Sequence, residues 1–281
     1  VTRQQVQRLA RILVTLVATV VVVPIVAVVA FIVVEGLAAL SWEFLTSPPR
    51  EGMTEGGIMP AILGTVLLVF GTAIAAMPLG IAAAIYLAEY AGQGRLTHTV
   101  RLAIVNLAGI PSIVYGLFGL SMFVLFLQLG ISIVAGALTL GLMTLPVVIS
   151  TTEEALLAVP QDFRVTSLSL GASKWQTVRR QVLPHAVPGI LTGVILGLGR
   201  AAGETAPILF TAAVFYSPSL PQSVYDPTMA LPYHLYVIST QVPNMPTTIQ
   251  YGTALVLLLI VLSFTLVASL LRRRARRLRE W

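Results

Sequence analysis

Apolar residues run through this chain in long uninterrupted stretches, and charged residues are confined almost entirely to the gaps between them. A helix needs about 20 mostly apolar residues to cross a hydrocarbon core of roughly 30 Å. Six stretches meet that length, approximately 12–34, 61–85, 103–126, 131–149, 189–210 and 252–271. Gly130 marks the break between the third and fourth, which predicts a tight hairpin there. Pro24, Pro78, Pro111 and Pro146 lie inside or at the ends of these stretches and predict kinked helices, because neighbouring helices can satisfy the carbonyls that a proline frees. The pattern predicts an all-α polytopic membrane protein with six transmembrane helices. Residues 1–57 hold the tail, the first span and an outer loop; residues 58–281 form the main transmembrane domain, with a long inner loop at 150–188.

Composition excludes the other broad classes. Of 281 residues, 57% are hydrophobic and 10% charged, against about 25% charged in an average soluble domain. The absence of cysteine removes disulfide scaffolds, thiolate metal sites and thiol nucleophiles together. The net charge of +6 would suit nucleic acid until the basic residues are located. With the amino terminus in the cytoplasm, 15 of the 17 lysines and arginines fall on the inner side, in the tail, the second and fourth loops and the carboxyl-terminal run. Arg50 alone lies outside, and Arg200 lies within a span. This is the positive-inside bias, so both termini are expected in the cytoplasm. The RRRARRLRE run is expected to meet anionic lipid headgroups, and nucleic acid is not an expected partner. Arginines before an apolar stretch also resemble a secretory signal, but the stretch exceeds the roughly 7–15 residues of such a core and no small-residue cleavage site follows. It reads as a retained span.

The loops at 35–60 and 211–250 are proline-rich and short of hydrophobic content, offering at most a docking surface. The inner loop reads as two short helical patterns separated at Gly171, where glycine supplies a left-handed turn, and closed at Pro184, which is expected to stop the second helix. Trp175, Val178 and Val182 recur at helical spacing opposite Arg179 and Arg180, as for a helix on the membrane surface. The first half should project further into the cytoplasm. A plain connector and a contact surface both fit this pattern.

The fifth stretch, GILTGVILGLGRAAGETAPILF, holds Arg200 near its centre and Glu204 one turn on. A central charge costs roughly 2.5–3.5 kcal/mol on insertion scales, so the pair needs a reason. At about 100° per residue, Gly193, Gly197, Arg200 and Glu204 share one stripe, which predicts that it faces protein or a watery route. Leu191, Val194, Ile195, Leu198 and Leu209 occupy the other side, suited to lipid or an apolar neighbour. In one reading the ion pair only fixes helix register. In the other, Arg200 exchanges Glu204 for a permeating anion, since guanidinium matches tetrahedral oxyanions in a bidentate way and a transit site must bind weakly enough to release.

Enzymatic signals are missing. There is no G-x-x-x-x-G-K-[ST] phosphate loop, and the one lysine, Lys174, sits between Ser173 and Trp175. His98, His185 and His234 lie on different loops without metal-ligand spacing, and Glu204 has no second intramembrane acid for protease chemistry. The chain is expected to be no enzyme and to bind no cofactor or metal. Energy for uphill transport would enter through another polypeptide or an ion gradient.

The inner loop resembles the EAA loop of permease subunits of bacterial ATP-binding-cassette importers, E-A-A-x-x-x-G, nine residues, then I-x-L-P. Gly171, Leu183 and Pro184 fit this pattern, whereas Val165, Thr166 and Ser167 occupy the E-A-A positions and depart from it. AGIPSIVYGLFGL at 108–120, GLGRAAGETAPILFTAA at 197–213 and LPYHLYVISTQ at 231–241 look like phosphate importer permeases of the PstA type, from about residue 56 onward; the sister type PstC shares the layout. The resemblance implies a type I importer permease in the bacterial inner membrane, paired with PstC. A PstB ATPase homodimer carrying ATP and Mg would lie below, and the phosphate receptor PstS above. It implies that the helix before Gly171 couples to the ATPase, through Leu168, Gly171, Ala172 and Ser173, and that Arg200 and Glu204 serve phosphate passage. Sulfate or molybdate permeases, an ion-coupled carrier titrating at Glu204, and a non-transporting scaffold or sensor are the rival readings.

Overall fold

The computed structural model describes residues 3–92 and 94–277. The first apolar stretch forms α1 (Arg3–Leu37), which continues through Pro24. From Ile12 to Val28 its side chains stay uncovered, Val14 at 70% exposure, over a length that suits lipid or a neighbouring chain rather than water. The end of α1 packs on α12 (Thr247–Arg277), where Phe31 meets Tyr251 edge to face with centroids 5.2 Å apart. The intervening segment holds α2 (Trp42–Thr46), capped by Ser41, and a small antiparallel ribbon of β1 (Pro49–Arg50) and β2 (Glu55–Gly56).

The second stretch forms α3 (Met59–Ile85), which runs through Pro78 and ends in a π-helical turn, Tyr86–Tyr90. The third does not form one straight span. It divides into α4 (Arg95–Ala108) and α5 (Ser112–Gly119), the latter continuing as a π-helical stretch to Phe126, with a bend of 100° between them. Pro111 explains the break, because its ring disfavours helical angles at Ile110. The Tyr115 hydroxyl donates to Leu107 O at 2.8 Å across the corner. Among the described residues five helices are long and apolar enough to cross a membrane, and six if the bent pair counts as one.

The fourth span, α6 (Ile133–Leu157), starts at Ser132, whose Oγ accepts from Ala135 N–H, and runs eight residues past the expected end at 149. Its polar extension is retained because Glu153 pairs with Arg101 of α4 at 2.7 Å. Short helices α7 (Gln161–Ser169) and α8 (Lys174–Thr177) follow, and a π-helical turn, Val178–Val182, leads into α9 (Leu183–Gly203). Then come α10 (Ala206–Thr211) and α11 (Leu231–Thr240).

The bundle centre is α3, α6 and α9, with α12 on α9 and α10 on α5. One cluster of buried side chains, including Phe44, Leu68, Leu140, Ile208, Leu231 and Ile238, fills the end that carries the proline-rich segments. A second, including Leu87, Ile149, Leu156, Val182 and Ile190, fills the opposite, basic end. Close packing of α9 on α6 depends on Gly193, where a Cβ would stand 1.8 Å from Thr151 Oγ1.

Candidate functional site: the Arg200–Glu204 pair and the basic-end loop

The fifth stretch is two helices rather than one. Helix α9 stops at Gly203, Glu204 turns the chain with extended angles (φ −76°, ψ 131°), and α10 begins with Pro207 in its first turn, where a missing N–H costs nothing. Glu204 therefore caps the end of α9 instead of following Arg200 around a continuous helix. The pair still forms, Arg200 Nε donating to Glu204 Oε1 at 2.9 Å. The glycine stripe meets protein, as expected: Gly193 lies against Thr151 of α6, and Gly197 approaches Val148 and Thr144. The opposite side has an apolar neighbour, since Val194, Ile195 and Leu198 line a groove with Val66 and Phe70 of α3 and Phe264 of α12.

Arg200 is 45% exposed along its side chain and Glu204 16%. Among the described residues the guanidinium spends one of its five N–H groups, on Glu204. Glu204 borders a cavity of about 10 Å³ enclosed by Thr65 and Leu68 of α3, Leu140 of α6, Ile208 of α10, and Ala230 and Pro232. That volume is at the limit for a single water, so the gap beside Glu204 holds no larger solute in this conformation.

Helix α11, which borders this gap through Pro232, was expected to be part of a surface loop. Instead α11 enters the core: Leu231, His234, Val237 and Ile238 are buried, and Leu231 N–H donates to Thr65 Oγ1 at 2.8 Å. Gly64 allows this approach, since a Cβ there would stand 1.9 Å from Met229 O. Burial pushes the His234 imidazole down to about 4, and its Nδ1 has no hydrogen-bond partner. Apolar i, i+3, i+4 spacing in LPYHLYVIST was the available signal for a buried helix.

At the basic end, Gly171 adopts φ +82° and makes the expected turn. Leu168 and Ser167 carbonyls accept from Gly171 and Ala172 N–H. Ser173 caps α8 in a capping box, accepting from Gln176 N–H while its own N–H donates to Gln176 Oε1 at 2.8 Å. Helix α7 buries none of its residues, and Val165, Leu168, Leu170 and Trp175 leave an apolar surface open. Pro184 does not stop the second helix. The π-helical turn at Val178–Val182 widens the backbone just before it, and the helix continues unbroken from Lys174 to Gly203. Val178 and Val182 are buried in protein rather than lying on a membrane surface, while Trp175, Arg179 and Arg180 remain exposed.

Two further arginines, read from the sequence only as topology signals, form ion pairs at this end. Arg101 Nε donates to Glu153 Oε1 and its Nη2 to Leu87 O. Arg164 of α7 pairs with Glu89 at 2.6 Å. Among the described residues no group of three or more histidines, aspartates or glutamates is placed to hold a metal.

A family model described as binding-protein-dependent transport system inner membrane component matches residues 76–277. The chain is 36% identical over 251 residues to the probable ABC transporter permease protein YqgI of Bacillus subtilis, covering 85% of each. It is 39% identical over 226 residues to the phosphate transport system permease protein PstA 1 of Mycobacterium tuberculosis, covering 80% of this chain and 72% of the relative. Its fold is similar to a bacterial ABC transporter involved in import of the acidic polysaccharide alginate (TM-score 0.69, 15% identity, 96% of this chain and 98% of the other). It is also similar to the inward-facing MetNI methionine ABC transporter (TM-score 0.64, 17% identity, 76% and 94%). With the fold of type I ABC importer permeases, this chain belongs to the family of binding-protein-dependent transport system inner membrane components.

Proposed function

We propose that the chain is a permease subunit of an ATP-driven importer of inorganic phosphate, sharing the transmembrane path with a sister permease of the PstC kind in a bacterial inner membrane, with both termini in the cytoplasm. The observation that carries this is Arg200. Four of its five N–H groups are uncommitted among the described residues, and its carboxylate neighbour can give way to an incoming oxyanion. The relatives named as phosphate transport system permeases favour phosphate over sulfate or molybdate. The tight packing beside Glu204 suits alternating access, in which the helices around it must part before an anion passes.

In this reading the chain hydrolyses nothing itself. A PstB homodimer holding ATP and Mg meets the loop around Leu168, Gly171, Ala172 and Ser173, where Val165 and Leu170 are exposed. A PstS receptor delivers phosphate at the proline-rich end, and the arginines of the carboxyl-terminal run meet anionic lipid. The test is co-purification with the ATPase and sister permease, followed by reconstitution with receptor. Phosphate-loaded receptor should stimulate ATP hydrolysis, and Arg200→Gln should stop uptake while the complex still assembles. Uptake by this chain alone under an imposed proton gradient would overturn the proposal in favour of an ion-coupled carrier.

A further inference from the structure

Arg164 differs from every other arginine described here in how completely it is engaged. Its side chain is 12% exposed and that of Glu89 7%. Nε donates to both carboxylate oxygens of Glu89 at 3.1 and 3.3 Å, and Nη2 to Glu89 Oε1 at 2.6 Å. Nη2 also donates to Leu156 O at 2.9 Å, and Nη1 to Val159 O at 2.7 Å. One guanidinium thus joins three elements. It stands on α7, grips the π-helical turn that ends α3, and caps the carbonyls at the end of α6, where cations are favoured by the helix dipole.

Those partners matter because of where they lead. Helix α3 runs from Glu89 back to Leu68 and Thr65, and α6 from Leu156 back to Leu140, all walls of the cavity beside Glu204. At 1.5 Å per residue these are helical arms of roughly 25–35 Å. On its other side α7 is joined to the helix that carries Arg200, through Phe163 against His185 (centroids 4.5 Å) and Ser167 Oγ to Thr177 Oγ1 (2.9 Å).

We propose that Arg164 is the joint through which displacement of α7 is passed to α3 and α6, a positioning residue for opening the path at Glu204. The proposal rests on reading residues 150–188 as the ATPase-facing loop. A planar fork with four N–H groups engaged resists rotation as a single ammonium does not, so Arg164→Lys should fail where a mere need for charge would be met.

The chain contains no cysteine, so one introduced at Ala202, which lines the cavity, is the single thiol of this subunit. In the reconstituted complex, the rate at which Ala202→Cys reacts with a charged thiol reagent, read on this subunit after the subunits are separated, should change on adding ATP. Adding Arg164→Gln should abolish that change and lower phosphate uptake per ATP hydrolysed by roughly tenfold, with hydrolysis and subunit stoichiometry retained. Glu89→Gln should weaken the response less, because both carbonyl contacts remain, and Arg164→Gln with Glu89→Gln should be no worse than Arg164→Gln alone. An ATP response in Arg164→Gln equal to that of the parent would overturn the inference alone, as would uptake and hydrolysis falling in proportion with loss of assembled complex. No ATP response in the parent itself would overturn the importer reading and the inference with it.

Discussion

Replacing Glu204 with glutamine separates the two roles open to its pair with Arg200. The substitution keeps size and an acceptor oxygen for Arg200 Nε while removing the charge. Two unit charges 2.9 Å apart attract by about 6 kcal/mol at an effective dielectric constant near 20. Arg200 is 45% exposed, and measured exposed pairs retain 1 kcal/mol or less. With Glu204 itself mostly covered, a loss of about 1–2 kcal/mol is expected, a factor of roughly 5–30. If phosphate must displace Glu204, removing the competitor strengthens anion binding by that factor and slows release, so KM and kcat both fall. The assay is initial-rate phosphate uptake in proteoliposomes holding the whole complex, with equilibrium binding of labelled phosphate to the permease pair measured without receptor. Weaker binding in Glu204→Gln, or unchanged binding with reduced kcat, would refute the exchange and leave Glu204 as a device that aims Arg200.

Three other outcomes follow from the same coordinates. Gly193→Ala places a methyl group 1.8 Å from Thr151 Oγ1 and 2.6 Å from its Cβ, so α9 and α6 must separate at a cost of about 1–3 kcal/mol; a lowered thermal midpoint in detergent is expected, and Thr151→Ala should restore part of it. Gly171→Ala meets no atom within 4 Å but must adopt φ +82°, at a cost of about 1–2 kcal/mol, so ATP-driven uptake should fall while the complex still co-purifies. The third concerns pH. His234 titrates at about 4 in the fold against about 6.5 in the unfolded chain. Between those values the unfolded chain binds more protons, so stability falls as pH drops through this window, by up to about 3 kcal/mol. His234→Gln should flatten that decline in a detergent unfolding series, and an unchanged slope would show that other groups set it.

The spans were legible because a membrane core imposes a length and composition that few other structures need, and Arg200 was legible because it breaks that composition. What escaped is what depends on contact between distant parts of the chain. Nothing in the sequence around Pro184 announces the π-helical turn that lets the helix pass through it, whereas Arg200, Gly203 and Pro207 together signalled a helix end that the long apolar pattern masked. Helix α11 looked like outer loop because its ten residues are too few to span, yet a short apolar helix can be buried in protein at the mouth of a bundle. The ion pairs show the limit most clearly. Counting charge for topology places Arg101 and Arg164 without ranking them, because their partners lie 52 and 75 residues away, whereas the partner of Arg200, four residues on, was readable. Only the geometry reveals that Arg164 commits four N–H groups to a carboxylate and two helix-end carbonyls, whereas Arg200 commits one. A guanidinium with its donors spent can transmit a displacement but has little left for a solute; one with its donors free can bind a passing oxyanion. On the proposed reading, chemistry common to both side chains divides into mechanics at the basic end and recognition at the break after α9.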